Sequence, residues 1–318
     1  MSARSVRHRA EYVVVLSLRA LVRILPDGAV RGLGSAIGLA GYLLLRSRRR
    51  LAQAQLAAAF PTRTDAECRA IARATFAHFG RLLVVLLKFS TLTPDEMRRR
   101  VEFDGEERVR RALAGGKGAI VVTGHFGYWE VQGVAQALVL PPMSVLARPL
   151  DNPHLHALLE RIRGATGNRV IYRHGAIRRA WRALAGNETV GILIDQHILG
   201  GDAVQVEFFS RPVATTAAVA ALALRTGAPV LPIFCLPLPN GRFRLIYEHP
   251  IELPAAGSTD PVRELTQRCT DVLEMYVRRH PHLWLWMHHR WRDEHDAPAR
   301  EEDLLPLADD AESTGAID

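Results

Sequence analysis

A chain of 318 residues, 48% hydrophobic and 23% charged, can bury a sizeable core as one large domain or as one domain with appendages. Its three cysteines, Cys68, Cys235 and Cys269, stand far apart, which excludes a CxxC pair or a metal-ligand spacing and points to a reducing, cytoplasmic environment. The net charge of +8 is uneven: residues 293–318 hold ten acids against Arg300, so residues 1–292 keep 40 bases against 23 acids, or +17. Such a body seeks anionic partners, namely phospholipid surfaces, phosphorylated lipids, acidic carrier proteins or nucleic acid. Lys88 and Lys117 are the only lysines, so nearly all the positive charge is arginine, whose planar fork can grip a phosphate through two bonds.

In chain order, residues 1–50 carry ten arginines against Glu11 and Asp27. The stretch 12–25 reads as an apolar helix with Arg19 and Arg23 one turn apart. The stretch 32–45 is 14 residues without a charge, and Arg46, Arg48, Arg49 and Arg50 follow it. A clean spanning helix needs about 20 apolar residues, so neither stretch spans unless its arginines snorkel. With no small-residue cleavage site after a short apolar run, a secretory signal is not expected either. Basic residues flank both stretches, which predicts a helical hairpin lying on or dipping into an anionic leaflet; a soluble amphipathic pair is the alternative.

Thr64-Asp-Ala-Glu67 is a capping box that opens a helix reaching to about 89, and 82–87 is apolar on all sides. A charged segment and a helix at 106–114 follow, ended by Gly115-Gly116. Strands are then expected at 119–123, 143–147, 169–173, 190–195, 205–209, 229–235 and 242–248. Helices fit at 127–139, 153–165, 175–185, 215–226 and 261–279. Strands alternating with helical patterns imply a layered α/β core. The polar–apolar alternation of 205–209 and 242–248 predicts antiparallel edge additions. The expected organisation is therefore basic N-terminal helices at 1–60, an α/β domain at 61–292 and an acidic, disordered tail at 293–318.

The stretch from Gly118 to Glu130, GAIVVTGHFGYWE, reads as a buried strand, a glycine turn and a helix start carrying His125 and Glu130. The spacing His-x4-Asp/Glu is weak alone: 13 histidines and 33 acids in 318 residues give about 1.3 chance matches, and the chain has four. Context favours His125 and Glu130, because a strand–turn–helix junction puts both groups at the open edge of a sheet beside free helix N–H groups. Inside one helix five residues turn about 500°, so the pair can meet only with His125 in the turn. His197 and Asp202 also follow a strand, but Gly200-Gly201 loosens their link. Asp195, with Gln196 beside it, is the better site candidate on that strand end. His288 and His289 lie among tryptophans, where packing is the ordinary role. A zinc site is not expected, since no third ligand stands at a suitable spacing.

With these motifs on the page, the chain resembles the bacterial late acyltransferases of lipid A biosynthesis, a family that includes mycobacterial mannoside acyltransferases. The resemblance rests on His125-Phe-Gly-Tyr-Trp-Glu130, Arg148-Pro-Leu-Asp-Asn-Pro153, Asp195-Gln196, Phe208-Phe-Ser-Arg-Pro212 continuing through Thr215 to Thr226-Gly-Ala-Pro-Val-Leu-Pro232, and Trp284-Leu-Trp-Met-His-His-Arg-Trp291. They run in the family's order over roughly residues 10–292. It implies a glycerolipid-acyltransferase-like fold, a central mixed β-sheet flanked by helices with an N-terminal membrane-associated segment. It also implies transfer of a fatty acyl chain from acyl carrier protein or coenzyme A to a hydroxyl of a membrane glycolipid, at the cytoplasmic face of the inner membrane. His125 and Glu130 match the catalytic pair, Arg163 falls where the family places a catalytic-site arginine, and Asp195 where it places an acidic residue. Tyr128 stands where the family commonly has asparagine.

On this reading neutral His125 takes the proton of the attacking hydroxyl, Glu130 holds its tautomer, and backbone N–H groups near Gly127 or the Arg163 guanidinium receive the oxyanion. Arg148, Arg173 and Arg211, with Asp195 and Gln196, are the candidate substrate-binding residues. The stretches 82–87 and 217–224 are candidate walls of an acyl channel. No cofactor, metal or nucleic-acid partner is expected; the expected partners are acyl carrier protein, anionic lipids and the glycolipid acceptor. The alternatives are acylation of a phospholipid or mannoside, and a non-catalytic protein that binds the membrane surface.

Overall fold

The computed structural model describes residues 3–172, 175–198, 200 and 203–291. Four helices come first: α1 (Ala3–Ile24), α2 (Asp27–Leu44), α3 (Arg46–Ala59) and α4 (Asp65–Phe89). Then come α5 (Pro94–Arg99), β1 (Val101–Asp104), α6 (Glu106–Ala114), β2 (Ala119–Thr123), α7 (Trp129–Gln136), β3 (Met143–Leu146), α8 (Pro153–Gly164) and β4 (Arg169–Ile171). The remainder is α9 (Ala176–Ala185), β5 (Thr189–Leu193), β6 (Ala203–Phe208), β7 (Arg211–Thr216), α10 (Ala218–Thr226), β8 (Val230–Pro237), β9 (Phe243–Tyr247) and α11 (Pro261–Arg279).

Seven strands form one mixed sheet in the order β1-β9-β8-β2-β5-β3-β4, in which every neighbouring pair is parallel except β8 and β9. Strand β2 is buried along its whole length, as a central parallel strand covered on both faces must be. Its side chains alternate between two cores. Ile120 and Val122 join α9, α10 and α11 on one face, and Ala119 and Val121 join α4, α7 and α8 on the other.

Two expectations about strands need correction. The stretch 242–248 does run antiparallel to β8, but β1 covers its other side, so it is not an edge. The stretch 205–209 leaves the sheet altogether and pairs with Arg211–Thr216 as a separate hairpin, turning through Phe209 and Ser210 at φ of +54° each. Strand β7 was hidden because Arg-Pro-Val-Ala-Thr-Thr shows no clean alternation.

The capping box at Thr64 is present, with Glu67 N donating to Thr64 Oγ1 and Thr64 N to Glu67 Oε2. Helix α4 is long and apolar enough to cross a membrane by composition, yet 56% of its apolar window is buried in protein. Much of that burial is against α2, with the two backbones almost touching. A Cβ added at Gly38 would lie 2.0 Å from the Phe76 carbonyl oxygen, and one at Gly80 2.2 Å from the Gly34 oxygen. Small residues at such a crossing let helices approach closely. Helix α1 is tied to the core through Asn152, whose Nδ2 donates to the His8 carbonyl (2.9 Å) and to Glu11 (2.8 Å) while its Oδ1 caps α8. Val13, Val14, Ile24, Leu43 and Leu44 stay exposed on α1 and α2.

The crossing gives a direct test. Gly38→Val forces a branched side chain into a backbone carbonyl that cannot yield, and should cost about 2 kcal/mol or more in thermal unfolding. Gly32→Ala on the same helix meets nothing within 4 Å and should be neutral or stabilising by under about 1 kcal/mol.

Candidate active site

Strands β2 and β5 are parallel neighbours with Thr123 opposite Leu193. Two residues beyond each strand end stand His125 and Asp195, brought together outside the carboxyl edge of the sheet, where open α/β sheets ordinarily hold their ligands. His125 Nδ1 lies 2.8 Å from Asp195 Oδ1, and the His125 backbone N–H donates to Asp195 Oδ2 at 2.7 Å. Trp284 Nε1 donates to the same Oδ2 at 2.8 Å. Asp195 is 4% exposed, so a carboxylate removed from water is repaid by three hydrogen bonds.

The electrostatics follow from that contact. Burial alone would raise the Asp195 pKa, but the attraction of His125, the ring and backbone bonds and the Trp284 donor bring it to about 2. Burial alone would lower that of His125, but the Asp195 carboxylate, its hydrogen bond and the charge of Glu130 together push it above 6.5. Because Asp195 only accepts, Nδ1 carries the hydrogen and the lone pair of the neutral ring sits on Nε2. The imidazole side chain is 19% exposed, with Trp129 edge-on at 5.3 Å between centroids and Gln196 Nε2 at 3.4 Å from Nε2. A ring held this way can take a proton from a hydroxyl that displaces the long Gln196 contact at Nε2.

The turn between β2 and α7 leaves little choice of residue. A Cβ at Gly124 would lie 3.0 Å from the Asp195 carboxylate, and one at Gly127 (φ +59°) 2.1 Å from the Cys235 carbonyl oxygen. The N–H groups of residues 125–128 are all engaged: His125 with Asp195, Phe126 with the Gly124 carbonyl, Gly127 with Leu283 and Tyr128 with Cys235. These four therefore do not receive an oxyanion, and of the N–H groups expected near Gly127 those of the first turn of α7 are the ones left for it. Beneath the turn, His78 on α4 donates from Nε2 to the Gly127 carbonyl (3.0 Å). Burial drives its pKa down to about 3, so it braces the turn as a neutral ring.

Glu130 does not make the bond expected of it. It sits in the first turn of α7, takes a two-point fork from Arg163 on α8 (2.9 Å from Nε, 2.5 Å from Nη2), and reaches His125 only through its charge. The tautomer-holding contact belongs to Asp195, expected among the substrate-binding residues. Five residues of separation in sequence put Glu130 near the histidine, while the strand register put Asp195 against it.

A cavity of about 580 Å³ opens at His125, with Glu130, Arg163, Gln196 and Arg148 around its mouth and β2, β3, β5 and α7 around its interior. Arg148 is half exposed and pairs with Asp151 at 3.3 Å. Arg211 stacks over Trp291 at 5.0 Å and does not line this cavity, and Arg173 lies outside the described residues. Of the two proposed channel walls, 82–87 does not line the cavity, with Leu82, Val84, Leu86 and Leu87 in the core and Leu83 exposed, and α10 contributes only Ala218. Among the described residues no three His, Cys, Asp or Glu side chains gather as metal ligands.

Sequence reasoning missed two residues of the segment after α11. Trp284 was read as packing, although a buried indole N–H needs an acceptor and Asp195 is the one it finds. Arg290, 2% exposed, donates to the Gln196 and Ala214 carbonyls (3.0 Å each) and to Thr215 Oγ1 (2.6 Å), fixing the loop that carries Asp195 and Gln196. Gln55 on α3 holds this segment in turn, donating to the Trp286 and His288 carbonyls and accepting from Arg290 N.

Comparison with known proteins gives the chain its relatives. The model of the family described as bacterial lipid A biosynthesis acyltransferase matches residues 2–293. Phosphatidylinositol mannoside acyltransferase of Mycobacterium tuberculosis is 25% identical over 224 residues, 69% of each chain. Lipid A biosynthesis palmitoleoyltransferase of Escherichia coli is 25% identical over 271 residues, 84% of this chain and 86% of the relative. The myristoyltransferase of the same organism is 22% identical over 247 residues, 76% and 74%.

The His125–Asp195 contact can be checked without turnover. In an NMR titration the His125 ring should lose its proton at a midpoint above 6.5, and Asp195→Asn should move that midpoint down, since the stabilising charge is gone while the burial remains.

Proposed function

From the premise that the chain belongs to the bacterial lipid A biosynthesis acyltransferase family and is an acyltransferase, we propose that it moves a fatty acyl chain from a thioester of acyl carrier protein or coenzyme A to a hydroxyl of a membrane glycolipid, a lipid A precursor above all. The observation that carries this reading is the 2.8 Å contact of His125 Nδ1 with a buried, ionised Asp195 beside an apolar cavity.

A thioester carbonyl is already activated, so the demanding step is making a lipid hydroxyl nucleophilic. His125 Nε2 takes the hydroxyl proton as the oxygen attacks, a role worth typically 10²–10⁴-fold. Asp195 holds the tautomer and stabilises the imidazolium that forms. The protonated ring then returns its proton to the departing thiolate. With the N–H groups of residues 125–128 engaged, the donors left for the tetrahedral oxyanion are the first-turn N–H groups of α7, the Gln196 amide and Nη1 of Arg163. Glu130 serves by aiming that guanidinium and by adding negative charge near the imidazolium. Arg148 at the mouth suits a phosphate of the donor or of the acceptor.

The membrane reading rests on the exposed apolar side chains of α1 and α2, with Arg7, Arg9, Arg46 and Arg48 close by in sequence. Such a surface suits the cytoplasmic leaflet of the inner membrane, basic groups at the headgroups and aliphatic ones below.

The test is transfer of a labelled acyl chain from acyl carrier protein or coenzyme A to membrane lipids, with the product read by mass spectrometry. His125→Ala should remove at least about 10²-fold of kcat in a folded protein, Asp195→Asn a comparable amount, and Glu130→Gln less. Undiminished turnover in His125→Ala would overturn the mechanism. A product on glycerophospholipid or mannoside in place of lipid A precursor would reassign the acceptor.

A further inference from the structure

We infer that Gly133, Gly191 and Met143 form a gauge that sets which acyl chain length the cavity accepts; the inference deepens the acyl-transfer reading and rests on it for the identity of the occupant. The cavity runs down the face of the sheet that carries α7 and α8. Along it the register lines up Val121, Gly191, Val145 and Val170 side by side on four adjacent strands, all four facing the cavity. This row lies four residues along β2 from His125, about 13 Å at the rise of a strand.

At the centre of the row the side chain is missing. Gly191 carries none between the valines and Gly133 carries none on α7, and the room both leave is taken up by the side chain of Met143, one pleat further from His125. A Cβ built on Gly191 would lie 3.3 Å from Met143 Sδ, and one on Gly133 3.7 Å from Met143 Cε. Neither glycine has a positive φ, so neither is needed for its backbone conformation. What the chain obtains from them is space.

The end of the cavity is built to hold its shape. Asn168, 7% exposed, accepts from the Met143 N–H (2.9 Å) and donates to the Gly133 carbonyl (2.7 Å), locking floor and roof together. With both backbones pinned, the thioether of Met143 is the adjustable part, and an unbranched, polarisable side chain suits contact with the last methyl of an alkyl chain. A methylene gained or lost in such a pocket is worth about 10-fold or more in kcat/KM, so a stop this well defined discriminates chain lengths.

The experiment offers a series of saturated even-chain acyl groups, as thioesters of both acyl carrier protein and coenzyme A, with total bacterial membrane lipid to the wild type and to Gly191→Ala, Gly133→Ala and Met143→Ala. Free fatty acids of the same lengths are scored in parallel for displacing a fluorescent fatty acid. The two glycine variants should lose about 10-fold or more in kcat/KM on the longest chain the wild type accepts, and Met143→Ala should gain on chains longer than that. Gly133→Ala adds a good helix former inside α7, so its shift is read in a folded protein even if Met143→Ala unfolds. Identical profiles in all variants, or shifts of the glycine and methionine variants in the same direction, would overturn the gauge. Wild-type protein that transfers no acyl group, but whose fatty-acid binding shifts as stated, would sink the transfer reading and leave the gauge standing.

Discussion

The buried carboxylate of Asp195 is the constraint around which the site is arranged. Three donors converge on it from two distant parts of the chain, the turn after β2 and the segment after α11. A charge 4% exposed is tolerable only when its oxygens are occupied, and loss of one donor leaves a desolvated acceptor at a cost of about 1–3 kcal/mol. The absence of a side chain at Gly124 has the same origin, since a Cβ there would press on the carboxylate.

What was legible in the sequence was whatever local chemistry determines. The bounds of β2, α6 and α11 match the expectation residue for residue, because an apolar run closed by Thr-Gly, a glycine stop and a proline start are signals a short window contains. The capping box of α4 is legible for the same reason. Helix α3 carries no such signal, since its first turn is arginine-rich and reads as a charged flank. The site divides along the same line. His125 and its glycine turn show in the local pattern, as does the nearness of Glu130. The partnership with Asp195 does not, because it depends on Thr123 lying opposite Leu193 in a pairing seventy residues apart in sequence. The cavity walls were misplaced for a related reason: an apolar helix shows in sequence, whereas room left by two glycines on different elements exists only after folding.

Two kinds of glycine do different work here. Gly38 and Gly80 let α2 and α4 meet backbone to backbone, which seats the N-terminal helices firmly on the α/β core. Gly127 lets the turn pass beneath the Cys235 carbonyl at a positive φ. His78 links the two regions, rising from α4 to hold the Gly127 carbonyl. The helices that present apolar surface outward are thus mechanically continuous with the turn that bears His125.

Gln55 near one end of the described chain and the segment 284–291 near the other are joined by hydrogen bonds to main-chain atoms, so the contact tolerates changes in the side chains of that segment but not a change in its path. A chimaera with a relative would therefore have to exchange α3 and the tryptophan-rich segment as one block. Swapping either alone would leave Asp195 on its strand end but loosen the segment that steadies it, through Trp284, and its loop, through Arg290.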